Sequence, residues 1–103
     1  MSNDRIAKAL ELFQRFPDND LSRCRVAQAH FDTGDYADAA EHLHPPCVKK
    51  PDWMVVHILL GRYLLVAAEL AQAKSILQHA LQLAIAQHHD GPREELQELL
   101  KTL

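Results

Sequence analysis

The histidines and cysteines of this sequence are the first candidates for binding a metal ion or attacking a substrate. Seven histidines are present; His42 and His44 lie close to Cys47, and the run His88-His89-Asp90 lies further along the chain. On a predicted helix, His42 and His44 are two positions apart and so point in different directions. No Cys-x-x-Cys or His-Glu-x-x-His spacing occurs. We therefore predict no metal site and interpret these histidines as solvated residues near helix ends.

Motifs for catalysis are also missing from the sequence. It contains no glycine-rich phosphate loop and no nucleophile elbow, and no spacing identifies two acids in one cleft. Cys24 would act as a nucleophile only if a base such as His57 lay beside it. We instead expect His30 and His57 to pack against other residues or to lie at the rim of a surface. The prediction is a protein with no enzymatic activity and no cofactor.

The composition favours one small helical domain without a nucleic-acid partner. The 103 residues are enough for a single domain, residues 1–103, with a modest core. Leu and Ala are the commonest residues and only three residues are glycine, which favours helix. The formal net charge is −3, and the eleven lysines and arginines are scattered, with no basic run interleaved with aromatic residues.

Three features of the sequence indicate the cellular compartment: the termini, the cysteines and the longest apolar stretch. The N-terminus begins with Met and leads into an amphipathic helix without the features of a secretory signal, so we expect a complete, cytoplasmic protein. Cys24 and Cys47 are expected to be two reduced thiols. The stretch 54–68 contains His57 and Arg62 and is too short to cross a bilayer. We therefore predict no membrane partner.

The spacing of apolar residues predicts about six helices. The first spans residues 4–16 and ends before Pro17. The second begins after a cap at Asn19 or Asp20 and stops at Gly34, a residue suited to a left-handed helix end. The third begins at Asp35 and is expected to kink or end at Pro45-Pro46, where a ring replaces a backbone N–H.

Three more helices follow in the second half of the sequence. The fourth runs from residue 53 or 54 to about Ala68, and the fifth from about Leu70 to Gln87. The sixth, residues 91–103, has Pro92 at its expected first position. It carries one apolar stripe of Leu96, Leu99, Leu100 and Leu103, with Arg93, Glu94, Glu95, Glu98 and Lys101 on the opposite, solvated face. We expect a substitution at Glu95 to have almost no effect.

An internal repeat organises these helices. When the sequence is shifted by 34 residues, small residues align with small ones and large residues with large ones. Two helices can approach closely only where small side chains meet, so we expect Ala27 and Gly61 to face Ala39 and Ala73. The aligned pairs include Val26 with Leu60, Ala27 with Gly61, Phe31 with Leu65, Gly34 with Ala68, Ala39 with Ala73 and Leu43 with Leu77.

The repeat resembles the tetratricopeptide repeat. Gly34-Asp35-Tyr36, Ala39 and Pro51 carry the resemblance, which covers residues 20–53 and 54–87 as two repeats with flanking N-terminal and C-terminal capping helices. It implies an all-α fold, a right-handed α-solenoid of antiparallel helix pairs. The sequence departs from the family pattern at Pro45-Pro46, at Ala68 and at Ile85, where a closing proline is usual. The last departure predicts a long fifth helix.

The resemblance also implies a protein-interaction module or adaptor that binds another protein on its concave face. The face is mostly apolar, so it predicts an apolar peptide or helix as the partner. Family members that bind a C-terminal carboxylate have Lys, Asn and Arg on this face. Here those positions hold Cys24, Gln28 and Ile58, so we do not expect a carboxylate clamp. The alternatives are a structural subunit that forms a homodimer through this surface, or terminal helices that fold over it. The implied face comprises Leu21, Cys24, Gln28, Phe31, Asp32, Val55, Ile58, Arg62, Leu65 and Val66.

Overall fold

The structure is a computed structural model that describes residues 8, 11, 15 and 19–103, and this part of the chain is all-helical. The expectation of an all-α fold is therefore confirmed for these residues, which contain five helices and no strand. Six helices were expected; the one predicted over residues 4–16 falls largely outside the described residues. The five are α1 (Asp20–Asp32), α2 (Tyr36–Lys49), α3 (Met54–Val66), α4 (Leu70–Ala86) and α5 (Asp90–Lys101).

The start of α1 follows the predicted capping chemistry. Asn19 is the N-cap, and its side-chain oxygen accepts a hydrogen bond from the backbone N–H of Ser22 at 3.1 Å. This bond satisfies one of the amide groups that the first helical turn leaves without a partner. Asp20 lies in the first turn, where its negative charge interacts favourably with the helix dipole.

Three interhelix turns share one backbone geometry. Gly34, Ala68 and His88 have positive φ values of 90°, 63° and 60°. In each turn the following amide bonds back to a carbonyl five residues earlier, as in Asp35 N–H to His30 O at 2.9 Å and Glu69 N–H to Leu64 O at 2.9 Å. These bonds close the preceding helix and direct the chain into the next one.

Helix α2 does not end at Pro45-Pro46, so that alternative of the prediction was wrong. It continues through both prolines to Lys49, and the next amide, of Lys50, bonds to Pro46 O at 2.9 Å. Leu43, Pro46 and Cys47 are buried along this segment. Their burial favours the helical path, because it offsets the hydrogen bonds that the prolines cannot donate.

The last two helices differ from the prediction in detail. Helix α4 has 17 residues and extends to Ala86, so the expected long helix is confirmed. Helix α5 begins at Asp90, which makes Pro92 its third residue and not its first. The third position tolerates proline for the same reason as the first, since amides of the opening turn have no acceptor inside the helix.

Small residues are buried between the packed helices. Ala27, Ala39 and Ala73 are fully buried in one core cluster that spans α1 to α4, as the repeat predicted. Gly61 is also buried, and a methyl group added there would lie 2.6 Å from Cγ of Leu77. The side chain closest to the added group thus belongs to Leu77, one turn beyond Ala73.

Consecutive helices pack against each other along the chain, in the order α1 to α5. A second core cluster joins α3, α4 and α5 through Met54, Leu77, Ala80, Ala84 and Leu96. The predicted leucine stripe of the last helix is confirmed, because Leu99, Leu100 and Leu103 pack against this cluster. None of the described helices is both long and apolar enough to cross a membrane.

The connection between α2 and α3 is tied to α4 by side chains. A ring nitrogen of His79 bonds to Pro51 O at 2.7 Å, and the Gln87 amide donates to Asp52 O at 2.9 Å. Trp53 is half-buried against the first core cluster, with the Lys50 ammonium 4.8 Å from its ring centre. Trp53 therefore packs the joint between α2 and α3.

Candidate partner-binding groove

An open groove of about 1080 Å³ lies between α1, α3 and α5. Three helices that alternate along the chain supply its walls, while α2 and α4 contribute no lining residue. We call it the α1–α3–α5 groove. Its lining residues are Phe31 from α1, Arg62, Leu65 and Val66 from α3, and Glu94, Glu95, Glu98, Leu99 and the α5 cap Thr102.

The apolar floor of the groove is continuous with the core. The Phe31 ring stacks on Tyr63 with centroids 4.3 Å apart and also meets the edge of Tyr36 at 5.1 Å. Leu65 packs against both core clusters, and Leu99 against the second. These contacts fix the floor side chains in place, so a ligand would meet a preformed surface.

Val66 completes the floor and is its most accessible apolar residue. It retains 49% of its exposure, whereas Phe31, Leu65 and Leu99 are half-buried. It lies in the last turn of α3, just before the left-handed residue Ala68. A partner could therefore cover Val66 without displacing any core contact.

The rim of the groove is polar and mostly acidic. Arg62 reaches across from α3 to α5, where its guanidinium lies 3.6 Å from a carboxylate oxygen of Glu95. Glu98 pairs with Lys101 on its own helix at 2.9 Å. Both pairs are largely exposed, so each contributes only about 0–1 kcal/mol to stability. Glu95 is exposed, as expected for the polar face of the last helix, and it also borders the groove and pairs with α3.

Four of the ten residues predicted for the partner face come together here. Phe31, Arg62, Leu65 and Val66 line the groove. The other six do not line it. Cys24 and Ile58 are half-buried and pack against the core, whereas the remaining four are exposed: Leu21, Gln28, Asp32 and Val55.

The four lining residues of α5 and its cap Thr102 were missed because the last helix was interpreted only as a cap. Its strong amphipathic pattern predicts one buried face but does not show which neighbours flank that face. The alternation of helices along the chain could have indicated it, because α5 follows α4 as α3 follows α2. That order places α5 in the position of a first helix of a third pair.

Comparisons with known proteins bear on this fold. No protein-family model matches the chain, and no curated protein matches it. Among solved structures, it is similar to the solution structure of protein BPP2914 from Bordetella parapertussis, a target of the Northeast Structural Genomics Consortium. The TM-score is 0.76 at 21% sequence identity, and the match covers 94% of this chain and 84% of the other. The two chains share a fold.

The two cysteines lack the properties of activated nucleophiles. Both are free thiols. Burial and the nearby Asp20 carboxylate raise the pKa of Cys24, and burial together with Cys24 raises the pKa of Cys47 to about 12. A raised pKa keeps the unreactive thiol form at neutral pH, the reverse of what a nucleophilic cysteine requires. His57, the base considered for Cys24, has its Nδ1 atom 2.8 Å from the carbonyl oxygen of Trp53.

The histidines near α1 and α2 form a stack, without a recognisable metal-ligand set. The rings of His30 and His42 lie 5.3 Å apart and nearly parallel. Burial lowers the pKa of His42, and the positive charges of His30 and Arg23 lower it further, partly opposed by Asp38 and Glu41. Within the described residues, no three His, Cys, Asp or Glu side chains are grouped so that they could hold a metal ion.

A second hollow, lined by a different set of residues, is more polar. It has a volume of about 400 Å³ and lies among α2, α3 and α4. Its charged residues are Asp38, Glu41 and Glu69, and its apolar lining consists of Leu64 and alanines. It lacks the large apolar side chains from separate helices that distinguish the α1–α3–α5 groove.

Proposed function

We propose that this protein is a protein-interaction module of the tetratricopeptide type that binds an apolar peptide or helix in the α1–α3–α5 groove. One observation carries the proposal: Phe31, Leu65, Val66 and Leu99 come from three separate helices and converge on one open surface. Binding surfaces of proteins combine an apolar centre with a polar rim, and this groove has both.

The repeat supports the tetratricopeptide part of the proposal. Ala27 and Gly61 occupy equivalent positions 34 residues apart, and both are buried. Gly34 and Ala68 are related by the same interval and share a left-handed backbone. Phe31 on α1 and Tyr63 on α3 stack directly, so the first helices of successive repeats are neighbours. Such stacking of equivalent helices generates a solenoid with an extended binding surface.

The dimensions of the groove favour a polypeptide segment over a small molecule. Pockets for small ligands are usually enclosed and measure roughly 300–1,000 Å³. This groove has about 1080 Å³ and opens along one side of the molecule. An amphipathic helix could lay its apolar face on Val66 and Leu99 while its polar face stays in solvent.

A matched pair of substitutions tests the proposal. Val66 and Ile85 retain 49% and 46% of their exposure, so neither supports the core strongly. Val66 lines the groove, whereas Ile85 lies on α4, which contributes nothing to it. Val66→Glu should abolish capture of the partner proteins, because it places a charge on the apolar floor, and Ile85→Glu should leave capture unchanged. Phe31 and Leu65 are less suitable because both pack on the core.

The measurement is affinity capture from the native cell followed by quantitative mass spectrometry. Circular dichroism and thermal melts verify that both variants are folded. The proposal predicts a set of proteins retained by the wild type and by Ile85→Glu but lost with Val66→Glu. Equal retention by all three chains would show that the groove is not the binding site.

A further inference from the structure

The charges around the α1–α3–α5 groove are strongly unequal. Its lining includes three carboxylates, Glu94, Glu95 and Glu98, and one guanidinium, Arg62. All three carboxylates lie on α5, so they form one acidic edge beside the apolar floor. A ligand on Val66 and Leu99 would have this edge along one flank.

The acidic edge is only partly neutralised within the protein. Arg62 approaches Glu95 at 3.6 Å, and Lys101 approaches Glu98 at 2.9 Å. The glutamates of these pairs remain 72% and 74% exposed, so water screens them and a partner's charge can replace the internal one. Among the described residues, no cationic side chain lies within 4.0 Å of the Glu94 carboxylate. The groove therefore presents net negative charge to an incoming ligand.

We propose that the segment bound in the groove is amphipathic and basic, with apolar residues for the floor and Lys or Arg side chains that meet Glu94, Glu95 and Glu98. This inference rests on the proposed function and specifies its partner. The apolar residues would supply the buried area, and the charges would supply orientation and discrimination against acidic segments.

The same charges argue against a second copy of this chain as the occupant. Two copies joined groove to groove would bring six glutamates together, three from each, against two arginines. The exposed Val48 with Lys49 and Lys50 is a basic, apolar segment of the chain itself. Both lysines already pair with Asp20, at 3.9 and 3.0 Å. The Asp20 side chain is only 14% exposed, so removing its lysine partners would leave a largely buried carboxylate unpaired.

Selection from a peptide library tests the inference without knowledge of the natural partner. A random library of 16-residue peptides, long enough for about four helical turns, is selected on the wild type and counter-selected on Val66→Asn, which makes the floor polar without adding a charge that would attract a basic peptide. The same library is then selected on two triple variants. One carries Glu94→Gln, Glu95→Gln and Glu98→Gln; the other carries Asp38→Asn, Glu41→Gln and Glu69→Gln, which neutralises the second hollow. Each triple variant removes three negative charges, so the two have equal net charge.

The expected result is enrichment of peptides with apolar residues at helical spacing and adjacent Lys or Arg. Such a peptide should bind the wild type and the Asp38/Glu41/Glu69 variant equally, and bind the Glu94/Glu95/Glu98 variant about tenfold more weakly or worse. Its affinity for the wild type should fall as salt is raised, because the rim charges are exposed. Thermal melts confirm that each variant is folded.

Three results would overturn the inference, and they separate it from the function on which it rests. Enriched peptides that require Val66 but are neutral or acidic would contradict the basic partner and leave the binding groove intact. Failure to enrich any peptide on the wild type over Val66→Asn would contradict both. A wild-type dimer in sedimentation velocity that Val66→Glu dissociates would identify a second copy as the occupant.

Discussion

At the residue scale, Ala68 adopts a backbone conformation that normally favours glycine. Its φ of 63° lies in the left-handed region, and it ends α3 in the same way as Gly34 ends α1. In that region the Cβ atom crowds the following carbonyl oxygen, at a cost of about 1–2 kcal/mol. The hydrogen bond from Glu69 N–H to Leu64 O shows that the turn forms in spite of this cost.

Ala68→Gly should therefore stabilise the protein. Glycine removes the steric cost but gives the unfolded chain more freedom, so we expect a net gain of about 0.5–1 kcal/mol in the free energy of unfolding. The neighbouring Ala67 has a φ of −78°, which any residue adopts. Ala67→Gly should thus lower stability by about 0.5–1 kcal/mol. Urea denaturation measures both, and a loss of stability in both variants would contradict the interpretation of the turn.

Because of two buried ionisable groups, the free energy of unfolding should depend on pH in the alkaline range. Burial, followed by the influence of Cys24, raises the pKa of Cys47 from 9.0 to about 12, and burial, Asp32 and Cys24 raise that of Tyr63 from 10.0 to about 12. In the unfolded chain both groups lose their protons at lower pH than in the folded protein. Ionisation therefore favours the unfolded state, and stability should be complete below about pH 9 and fall between pH 9 and 12.

A Cys47→Ala variant tests the origin of this fall. It removes one of the two groups, so its free energy of unfolding should decrease less steeply between pH 9 and 11 than that of the wild type, whatever the difference at pH 7. Chemical denaturation at several pH values measures the two slopes. Parallel curves would show that Cys47 does not ionise on unfolding in this range.

At the scale of the elements, α2 shows where sequence reasoning and packing compete. Local chemistry predicts a kink or an end at Pro45-Pro46, because proline lacks the N–H that an interior turn needs. The helix continues to Lys49, with Pro46 and Cys47 buried. Sequence alone did not show that the core would enclose this segment, whereas the capping residue Asn19 and the turn at Gly34 depend on local chemistry and could be predicted.

The close approach of α3 and α4 depends on the missing side chain of Gly61. A methyl group there would meet Leu77, with Cγ at 2.6 Å. We therefore expect Gly61→Ala to cost about 1–3 kcal/mol through overpacking, although alanine is the better helix former. Gly91 in α5 has no atom within 4 Å of an added Cβ. Gly91→Ala should be neutral or stabilising by up to about 1 kcal/mol.

Leu77 provides an internal check on this contact. A double-mutant cycle of Gly61→Ala and Leu77→Val should show coupling, because the smaller side chain relieves the clash. Thermal or urea unfolding of the single and double variants gives the coupling energy. Additive effects would show that the two positions do not meet.

At the scale of the whole molecule, the sequence predicted how the helices pair but not which helix forms the remaining wall of the groove. The 34-residue interval relates Ala27 to Gly61 and Phe31 to Leu65, and this relation predicted the buried small residues and the floor. It could not predict the wall formed by α5, because that helix lies beyond the second repeat. The apolar stripe predicted that Leu96 would be buried, but it did not show that this residue packs with α4 and that the neighbouring glutamates then border the groove.

The arrangement of the five helices also separates two surfaces with different properties. The side formed by α1, α3 and α5 has apolar residues beside an acidic edge, whereas the hollow among α2, α3 and α4 is lined by carboxylates and alanines. Methyl groups can report separately on the groove and on surface positions outside it. Leu65, Val66 and Leu99 lie in the groove, and the exposed Leu70 and Ile85 lie on α4.

The most direct test of the account is a methyl NMR titration of the wild-type protein with a peptide obtained from the selection. The account predicts that the methyl signals of Leu65, Val66 and Leu99 shift together and saturate at one peptide per protein, while those of Leu70 and Ile85 stay in place. Shifts confined to Leu70 and Ile85, with the groove signals unchanged, would contradict the claim that this groove is where a partner binds.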